Sequence, residues 1–203
     1  CKEAIYRLII MNAEEILKIL EKVNAIQYGH FILSSGKRSS TYCQCAKIFV
    51  DPKVGSKICN SLAKKIKDQI NQDIDYVVSP ALGGILVGYE TANQLNSRSV
   101  FFERVENEFQ MRRGFEIEEN KNVLFVEDVI TTGKSSKECL VELKKFNINL
   151  LGIACIVDRS SENIFSDHKI ISLIKLDIPV YDEDDLPDKL KSINPIKPGS
   201  RII

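Results

Sequence analysis

Apolar and polar positions recur with two different periods along this chain, and the change of period predicts a succession of strands and helices. Short apolar runs, typical of buried strands, occupy residues 76–79, 99–102, 123–126, 150–157 and 170–176. Segments with helical spacing lie between several of these runs, at 84–95 and 135–146. Strands separated by helices of this length predict an α/β fold whose central, mostly parallel sheet is flanked by helices.

Before the first of these strands the pattern is more varied. Asn12 and Glu15 have the spacing of a capping box and predict a helix that continues to about residue 24. A Ser- and Gly-rich stretch follows at 28–42, with short strand-like pieces. Pro52 then opens a second predicted helix, which extends to about residue 71.

Composition narrows the class of protein. The 203 residues are 44% hydrophobic and 28% charged with a formal net charge of zero, which is ordinary for a globular domain. We expect no nucleic-acid partner, because no basic stripe is present. No apolar stretch is long enough to cross a bilayer, so no membrane partner is expected either. The six cysteines fit no zinc spacing, and they predict reduced thiols in a cytoplasmic protein.

Candidate chemistry is concentrated where the 123–126 run ends. Two neighbouring carboxylates, Glu127 and Asp128, follow the apolar run, and a short loop of Thr131, Thr132 and Gly133 leads into a helix. Backbone N–H groups at such a helix start can hold a phosphate. Open α/β sheets bind ligands at the carboxyl ends of their strands. A phosphate cradle beside two acids that could bind hydroxyl groups therefore predicts a sugar-phosphate substrate.

Two other interpretations of this segment were weighed. Gly133-Lys134-Ser135 matches the end of a Walker A loop, but that loop needs a glycine where Asp128 stands, and a carboxylate there would repel a phosphate. An ordinary strand-turn-helix connection capped by Thr131 or Thr132 explains the loop residues. It does not explain two adjacent carboxylates at the end of a buried strand, which are costly without a partner.

The segment from Glu127 to Gly133 resembles the 5-phosphoribosyl pyrophosphate (PRPP) signature of type I phosphoribosyltransferases. Further segments resemble the orotate phosphoribosyltransferases within that class. They are a hood at 29–47, a pyrophosphate loop at 79–84, a mobile loop at 103–115, Asp158-Arg159, and the tail at 185–201. The resemblance implies a single domain over 11–203, with a hood at about 11–50 completed by the C-terminal tail and a core at about 51–178. Residues 1–10 are then expected to be an N-terminal extension.

The resemblance also implies roles for individual residues. Glu127 and Asp128 would receive the ribose 2- and 3-hydroxyls near Mg²⁺, with Asp128 as a candidate metal contact. Thr131 and Arg159 would bind orotate. The 5-phosphate would be wrapped by the residues that follow the acids: Val129, Ile130, Thr131, Thr132, Gly133, Lys134 and Ser135. The pyrophosphate would lie on Ala81, Leu82, Gly83 and Gly84.

The predicted mobile loop spans 104–119 and carries Arg104, Arg112 and Arg113, which we expect to take part in catalysis. In the family this loop closes over the active site of the partner subunit, which implies a homodimer. The chain departs from the enterobacterial pattern where that pattern has lysines, at Ser34, Gly83 and Val105. Arg112 and Arg113 are candidates for the missing positive charge.

The resemblance implies transfer of the 5-phosphoribosyl group from PRPP to orotate, giving orotidine 5-monophosphate and pyrophosphate in pyrimidine (UMP) biosynthesis. Two alternatives stay open. A phosphoribosyltransferase for a purine or another pyrimidine would share the signature but not Arg159 and the hood. A PRPP-sensing regulator that binds nucleic acid would be expected to have a basic surface or an added domain, and neither is seen in the sequence.

Overall fold

The five predicted apolar runs all form strands of one sheet. The computed structural model describes residues 11–33, 35–160 and 164–198. Its central sheet has the order β5-β4-β3-β6-β7-β8, and only the edge strand β5 is antiparallel to its neighbour. The strands are β3 Tyr76–Pro80, β4 Arg98–Val105, β5 Glu108–Met111, β6 Asn122–Ile130, β7 Asn149–Asp158 and β8 Ile170–Lys175. The predicted fold class is confirmed.

Helices begin and end largely where local sequence signals place them. The capping box of Asn12 and Glu15 is formed. Asp51 accepts a hydrogen bond from the Lys53 amide, and the helix that Pro52 opens ends at Lys67 rather than at residue 71. The helices are α1 Ala13–Lys22, α2 Pro52–Lys67, α3 Gly83–Leu95, α4 Lys134–Leu143 and α5 Asp188–Lys191, and a 3-10 helix spans Cys45–Val50. Among the described helices, none is both long and apolar enough to cross a membrane.

The sheet is buried on both faces, because alternate residues of each strand face opposite sides. In β6, Leu124 and Val126 belong to the core that packs against α1, α2 and α3. Val123 and Phe125 belong to the other core, which includes residues of α4. All four side chains are fully buried. The double covering explains why β6 begins as an uninterrupted apolar run.

A second, small sheet joins the beginning of the chain to its end. It has the order β1-β2-β9, with antiparallel strands β1 Ile26–Ile32, β2 Arg38–Cys43 and β9 Val180–Tyr181. Lys37 pairs with Asp182 at 3.1 Å and the buried Arg38 pairs with Glu183, so two cations beside the first hairpin bind two acids beyond β9. Residues 1–10, Ser34 and the tail residues 199–201 lie outside the described part of the chain.

The first part of the predicted mobile loop at 104–119 forms a β-hairpin, which the sequence did not indicate. Arg104 and Val105 end β4, and β5 returns antiparallel to it. The two linking residues, Glu106 and Asn107, have φ angles of 49° and 71°. Positive φ at both positions is the backbone of a two-residue hairpin turn, in which Asn is favoured. The first half of the predicted lid, up to Met111, is therefore part of the central sheet.

Candidate active site

The two acids lie inside β6 and not in the loop that follows it. Glu127 pairs in register with Cys155 of β7, and Val129 and Ile130 pair with Val157 and Asp158. The strand was predicted to end at Val126, and this boundary was wrong because β7 supplies partners for three of the next four residues, Glu127, Val129 and Ile130. Val129 and Ile130 are consequently strand residues, and the predicted phosphate-binding loop is limited to the residues from Thr131 to Ser135.

This loop offers free backbone N–H groups to an anion. Gly133 is the N-cap residue of α4, with φ 67° and no side-chain capping bond, so the alternative of an ordinary connection capped by Thr131 or Thr132 is not what the structure forms. Its carbonyl accepts a hydrogen bond from the Lys137 amide at 2.8 Å. A Cβ at this position would lie 2.3 Å from Ile164 Cδ1. The αL backbone and the lack of space both require glycine here, and the first-turn amides are left for a ligand.

Glu127 is held by a residue that sequence reasoning missed. The Ser136 hydroxyl, fully buried in the first turn of α4, donates a hydrogen bond to Glu127 Oε2. Burial raises the pKa of Glu127 from 4.5 to about 7, the bond from Ser136 opposes this rise, and the neighbouring Asp128 adds to it. Glu127 and Ser136 are nine residues apart, and no sequence pattern associates this spacing with a contact. The hydrogen bond between them becomes apparent only when α4 is seen packed on β6.

Asp128 lies against the predicted pyrophosphate loop. An ideal Cβ built on Gly83 would be 2.9 Å from Asp128 Oδ1 and 3.0 Å from Oδ2. The loop begins where the Ala81 amide donates to the Phe102 carbonyl at 2.7 Å, and α3 starts at Gly83 without a side-chain cap. Burial raises the pKa of Asp128, and hydrogen bonds from the amides of Val129 and Asp128 oppose the rise. The acid and this loop therefore form one continuous surface.

The candidate base-binding residues lie side by side at the ends of β6 and β7. Thr131 follows Ile130, and the Arg159 amide donates to the Ile130 carbonyl at 2.7 Å. Arg159 Nε is buried, and no described residue accepts a hydrogen bond from it. The alternative salt bridge with Asp158 is not formed: Asp158 accepts from the Ser160 amide at 2.9 Å. A buried guanidinium nitrogen without an acceptor, at the carboxyl ends of the strands, suits an anionic ligand.

Cys43, at the end of β2, is a second neighbour that the sequence did not indicate. Burial raises the pKa of this half-buried thiol, nearby Arg159 opposes the rise, and Asp128 adds to it. The thiol therefore lies close enough to Arg159 and Asp128 for their charges to shift its pKa. The small sheet thus borders the space above Arg159 and Asp128.

The structure does not bring the three arginines of the predicted mobile loop to the paired acids. Arg104 pairs with Glu138 of α4 and stacks over the Phe109 ring, with its guanidinium carbon 4.2 Å from the ring centroid. Arg113 pairs with Glu103 at 2.7 Å. Arg112 is exposed, and its charge, after that of Arg113, helps to lower the pKa of Glu103. Of the three, Arg112 is the one for which the described residues show no ion pair within 4 Å.

The described part of this site contains no ready-made metal cage. Within the described ranges, no group of three or more His, Cys, Asp or Glu side chains could hold a metal. A cavity of about 450 Å³ lies instead behind α4, between Leu140, Phe146 and Phe165. The acids and the free amides form an open edge of the sheet, which suits a ligand that brings its own metal-binding oxygens.

Comparison with known proteins identifies the family. Residues 51–184 match the family model described as the phosphoribosyl transferase domain. An orotate phosphoribosyltransferase of Parvibaculum lavamentivorans is 42% identical over 193 residues, which are 95% of this chain and 100% of that protein. The chain belongs to the orotate phosphoribosyltransferase family. One of Caldicellulosiruptor saccharolyticus is 44% identical over 191 residues, covering 94% and 98% of the two chains.

Solved orotate phosphoribosyltransferases have the same fold. The enzyme of Aeropyrum pernix superposes with a TM-score of 0.66 at 24% identity, over 78% of this chain and 92% of that one. The enzyme of Mycobacterium tuberculosis, solved with inorganic phosphate, gives 0.64 at 18% identity over 81% and 95%. These likenesses establish the type I phosphoribosyltransferase fold, and the 42–44% identical relatives establish the family within it.

Proposed function

We propose that the protein transfers the 5-phosphoribosyl group from PRPP to orotate, giving orotidine 5-monophosphate and pyrophosphate in de novo pyrimidine synthesis. One juxtaposition carries the proposal. The paired acids of β6, the uncapped amides at the start of α4 and the unpaired guanidinium of Arg159 lie at one edge of the sheet. Hydroxyl, phosphate and carboxylate are the three groups that a ribose phosphate and orotate would present to them.

The acids are suited to bind hydroxyl groups. Glu127 and Asp128 are ionised at a cost, because burial raises the pKa of both. Hydroxyl donors from a ribose would stabilise the ionised forms and recover this cost on binding. The 5-phosphate accepts hydrogen bonds from the amides between Thr131 and Ser135, where the dipole of α4 also favours negative charge. Both contacts position the sugar carbon that reacts.

The orotate carboxylate pairs with Arg159, whose planar guanidinium can form two parallel hydrogen bonds. Thr131 lies next to it and contacts the ring. With the base held there, N1 attacks C1 of the ribose as pyrophosphate leaves, and positive charge develops on the sugar ring. The carboxylates of β6 lie beneath that charge. The side chains act through position and charge, and no covalent nucleophile is needed.

Mg²⁺ fits this site as a partner of the substrate. It prefers one or two carboxylates together with phosphate oxygens, and Asp128 supplies a carboxylate beside the pyrophosphate loop. Asp128 and the substrate's own oxygens would hold the ion. Bound there, it would offset the negative charge of the leaving group.

The leaving group lies on the loop from Ala81 to Gly84, where α3 begins. The uncapped amides of α3 favour an anion. Arg112, which is exposed and forms no ion pair within 4 Å among the described residues, is the lid cation that we assign to the pyrophosphate. In a homodimer the hairpin of one subunit would cover the site of the other. We place the enzyme in the cytoplasm, where free thiols such as Cys43 stay reduced.

A base-panel assay tests the proposal. The protein is incubated with PRPP, Mg²⁺ and one of orotate, uracil, adenine, guanine or xanthine, and nucleotide formation is followed. Only orotate should react, because only orotate carries a carboxylate for Arg159. Asp128→Asn should lose most PRPP turnover without a fall in its unfolding midpoint, because the buried charge stabilises the ligand and not the fold. Equal use of a base without a carboxylate would refute the assignment of orotate.

A further inference from the structure

One face of α4 is apolar in its middle and basic at both ends. Leu140 and Val141 lie between Lys137 and Lys144, and spacings of three, four and seven residues put all four on one side of the helix. Val141 is 59% exposed. A helix face that only meets solvent would have polar residues at its centre, so this face has the pattern of a binding surface.

The same face lines a cavity of about 450 Å³. Phe146, Ile148 and Phe165 complete an apolar lining. Phe146 and Ile148 are only half-buried, although both pack against the core beneath α4, so the cavity leaves apolar surface uncovered. Small-molecule sites have volumes of roughly 300–1,000 Å³ and are mainly apolar with a few polar groups. The cavity meets both criteria.

The charged groups of the lining favour an anion. Lys137 and Lys144 form no ion pair within 4 Å among the described residues. Both acids of α4, Glu138 and Glu142, pair with cations that do not line the cavity. Asp167 is the single acid among the described lining residues, so two cations oppose it. Lysine stems that lie along an apolar wall suit a ligand with an aromatic ring and a carboxylate, sulfonate or phosphate group.

The cavity shares a wall with the phosphate-binding loop. Ile164 and Phe165 line the cavity, and both also lie against Gly133. A Cβ at Gly133 would be 2.3 Å from Ile164 Cδ1 and 3.2 Å from Phe165 Cζ. A ligand in the cavity would contact these two side chains and restrict their movement. Because Gly133 orients the amides of the loop, a restricted wall should hold those amides ready for a phosphate.

We propose that this cavity is a second ligand site, for a small aromatic anion, and that its occupancy strengthens phosphate binding at the loop from Thr131 to Ser135. The apolar lining takes the ring, and Lys137 and Lys144 take the charged group. Coupling between two sites is reciprocal, so phosphate must strengthen binding in the cavity by the same factor. The coupling rests on the proposed function, whereas the ligand site itself does not.

Fluorescence titration with 8-anilinonaphthalene-1-sulfonate tests the site, since this aromatic sulfonate reports apolar surface. N-phenyl-1-naphthylamine has the same rings without the charge. We expect one saturable site for the sulfonate, bound about three- to tenfold more weakly by Lys137→Gln/Lys144→Gln, the scale of two exposed charge contacts. The uncharged probe should bind both proteins equally. The control, Lys53→Gln/Lys57→Gln, removes the same charge from α2 on the other face of the sheet and should not change the binding of either probe.

Two further variants locate the probe. Val141→Asp adds an acid to the lining at an exposed position, where folding should not suffer, and should weaken both probes about tenfold or more. Val50→Asp makes the same change at an apolar residue that is 85% exposed and outside the cavity, and should weaken neither. Saturating inorganic phosphate should tighten binding of the sulfonate about fivefold, the lower end of typical couplings.

Each alternative gives a different result. Displacement of the sulfonate by phosphate would show that it binds the phosphate loop, and would overturn the proposal. Equal binding of the sulfonate by wild type and Lys137→Gln/Lys144→Gln would show a purely apolar site and overturn the assignment of an anion. An affinity that phosphate leaves unchanged would refute the coupling. A wild type that binds the sulfonate as expected, yet forms no nucleotide from PRPP and orotate, would refute the proposed function alone.

Discussion

Replacing Glu127 by Gln should make the ligand-free protein more stable at neutral and alkaline pH. Burial raises the pKa of Glu127 from 4.5 to about 7 in the folded state. A carboxyl group with a raised pKa destabilises the fold when ionised, so its cost is absent below pH 4.5, grows between pH 4.5 and about 7, and is complete above it. At 1.36 kcal/mol per pKa unit, the full cost is about 3 kcal/mol.

The glutamine variant carries no charge at any pH, and its amide oxygen can still accept the bond from Ser136. Urea unfolding without substrates or Mg²⁺, near pH 5 and near pH 8, measures the effect. The difference between the two conditions cancels any pH-independent penalty of the amide. We expect the difference in unfolding free energy between Glu127→Gln and the wild type to be about 2 kcal/mol larger near pH 8 than near pH 5.

Glu119→Gln is the stability control, because Glu119 is exposed. Its stability should follow the wild type at both pH values. An advantage of Glu127→Gln that stays constant with pH would show that burial does not oppose the charge of Glu127. An advantage that shrinks as the pH rises would refute the sign of the reasoning. PRPP binding by the stabilised variant should be weaker, since the charge serves the ligand and not the fold.

Three further variants test other parts of the site. Arg159→Ala should raise the KM for orotate about tenfold or more and leave the KM for PRPP unchanged, as measured by initial rates with each substrate varied. An unchanged KM for orotate would remove Arg159 from the base site. Gly133→Ala should lower the unfolding free energy by at least ~1–2 kcal/mol, the αL cost alone, before its clash with Ile164 is counted. Arg104→Ala and Glu138→Ala should show a coupling of up to about 1 kcal/mol in a double-mutant cycle of urea unfolding, and additive effects would show that the pair does not anchor the hairpin.

Local sequence signals were sufficient for the fold because most elements follow local rules. The apolar runs became the five parallel strands, and Asn12 and Pro52 began the helices that they predicted. Boundaries that depend on a distant partner were missed. β6 continues to Ile130 because β7 pairs with it, although Glu127 and Asp128 are poor strand formers. Tertiary pairing overrode propensity there.

Side-chain partners in the site were beyond sequence reasoning for the same reason. Arg104 was predicted to act on the substrate, yet it pairs with Glu138 of α4, 34 residues away. Ser136 and Glu127 meet only because α4 packs on β6. The β5 hairpin was missed because its turn is Glu106-Asn107, without the glycine that makes such turns easy to recognise. The Arg104–Glu138 pair joins elements that are not neighbours in sequence, whereas the β4–β5 hairpin and the Ser136–Glu127 contact join consecutive elements whose packing no sequence pattern indicated.

The small sheet sets an order in which the protein can be completed during synthesis. The last strand of the central sheet ends at Lys175, so a nascent chain can assemble that sheet soon after β8 leaves the ribosome. β2 can pair with β1 early, but its other edge stays unpaired until β9 has been synthesised. The buried Arg38 likewise has no counter-charge until Glu183 emerges. A ribosome that stalls between these points would hold a folded core beside an unpaired hairpin edge, the kind of surface that chaperones recognise.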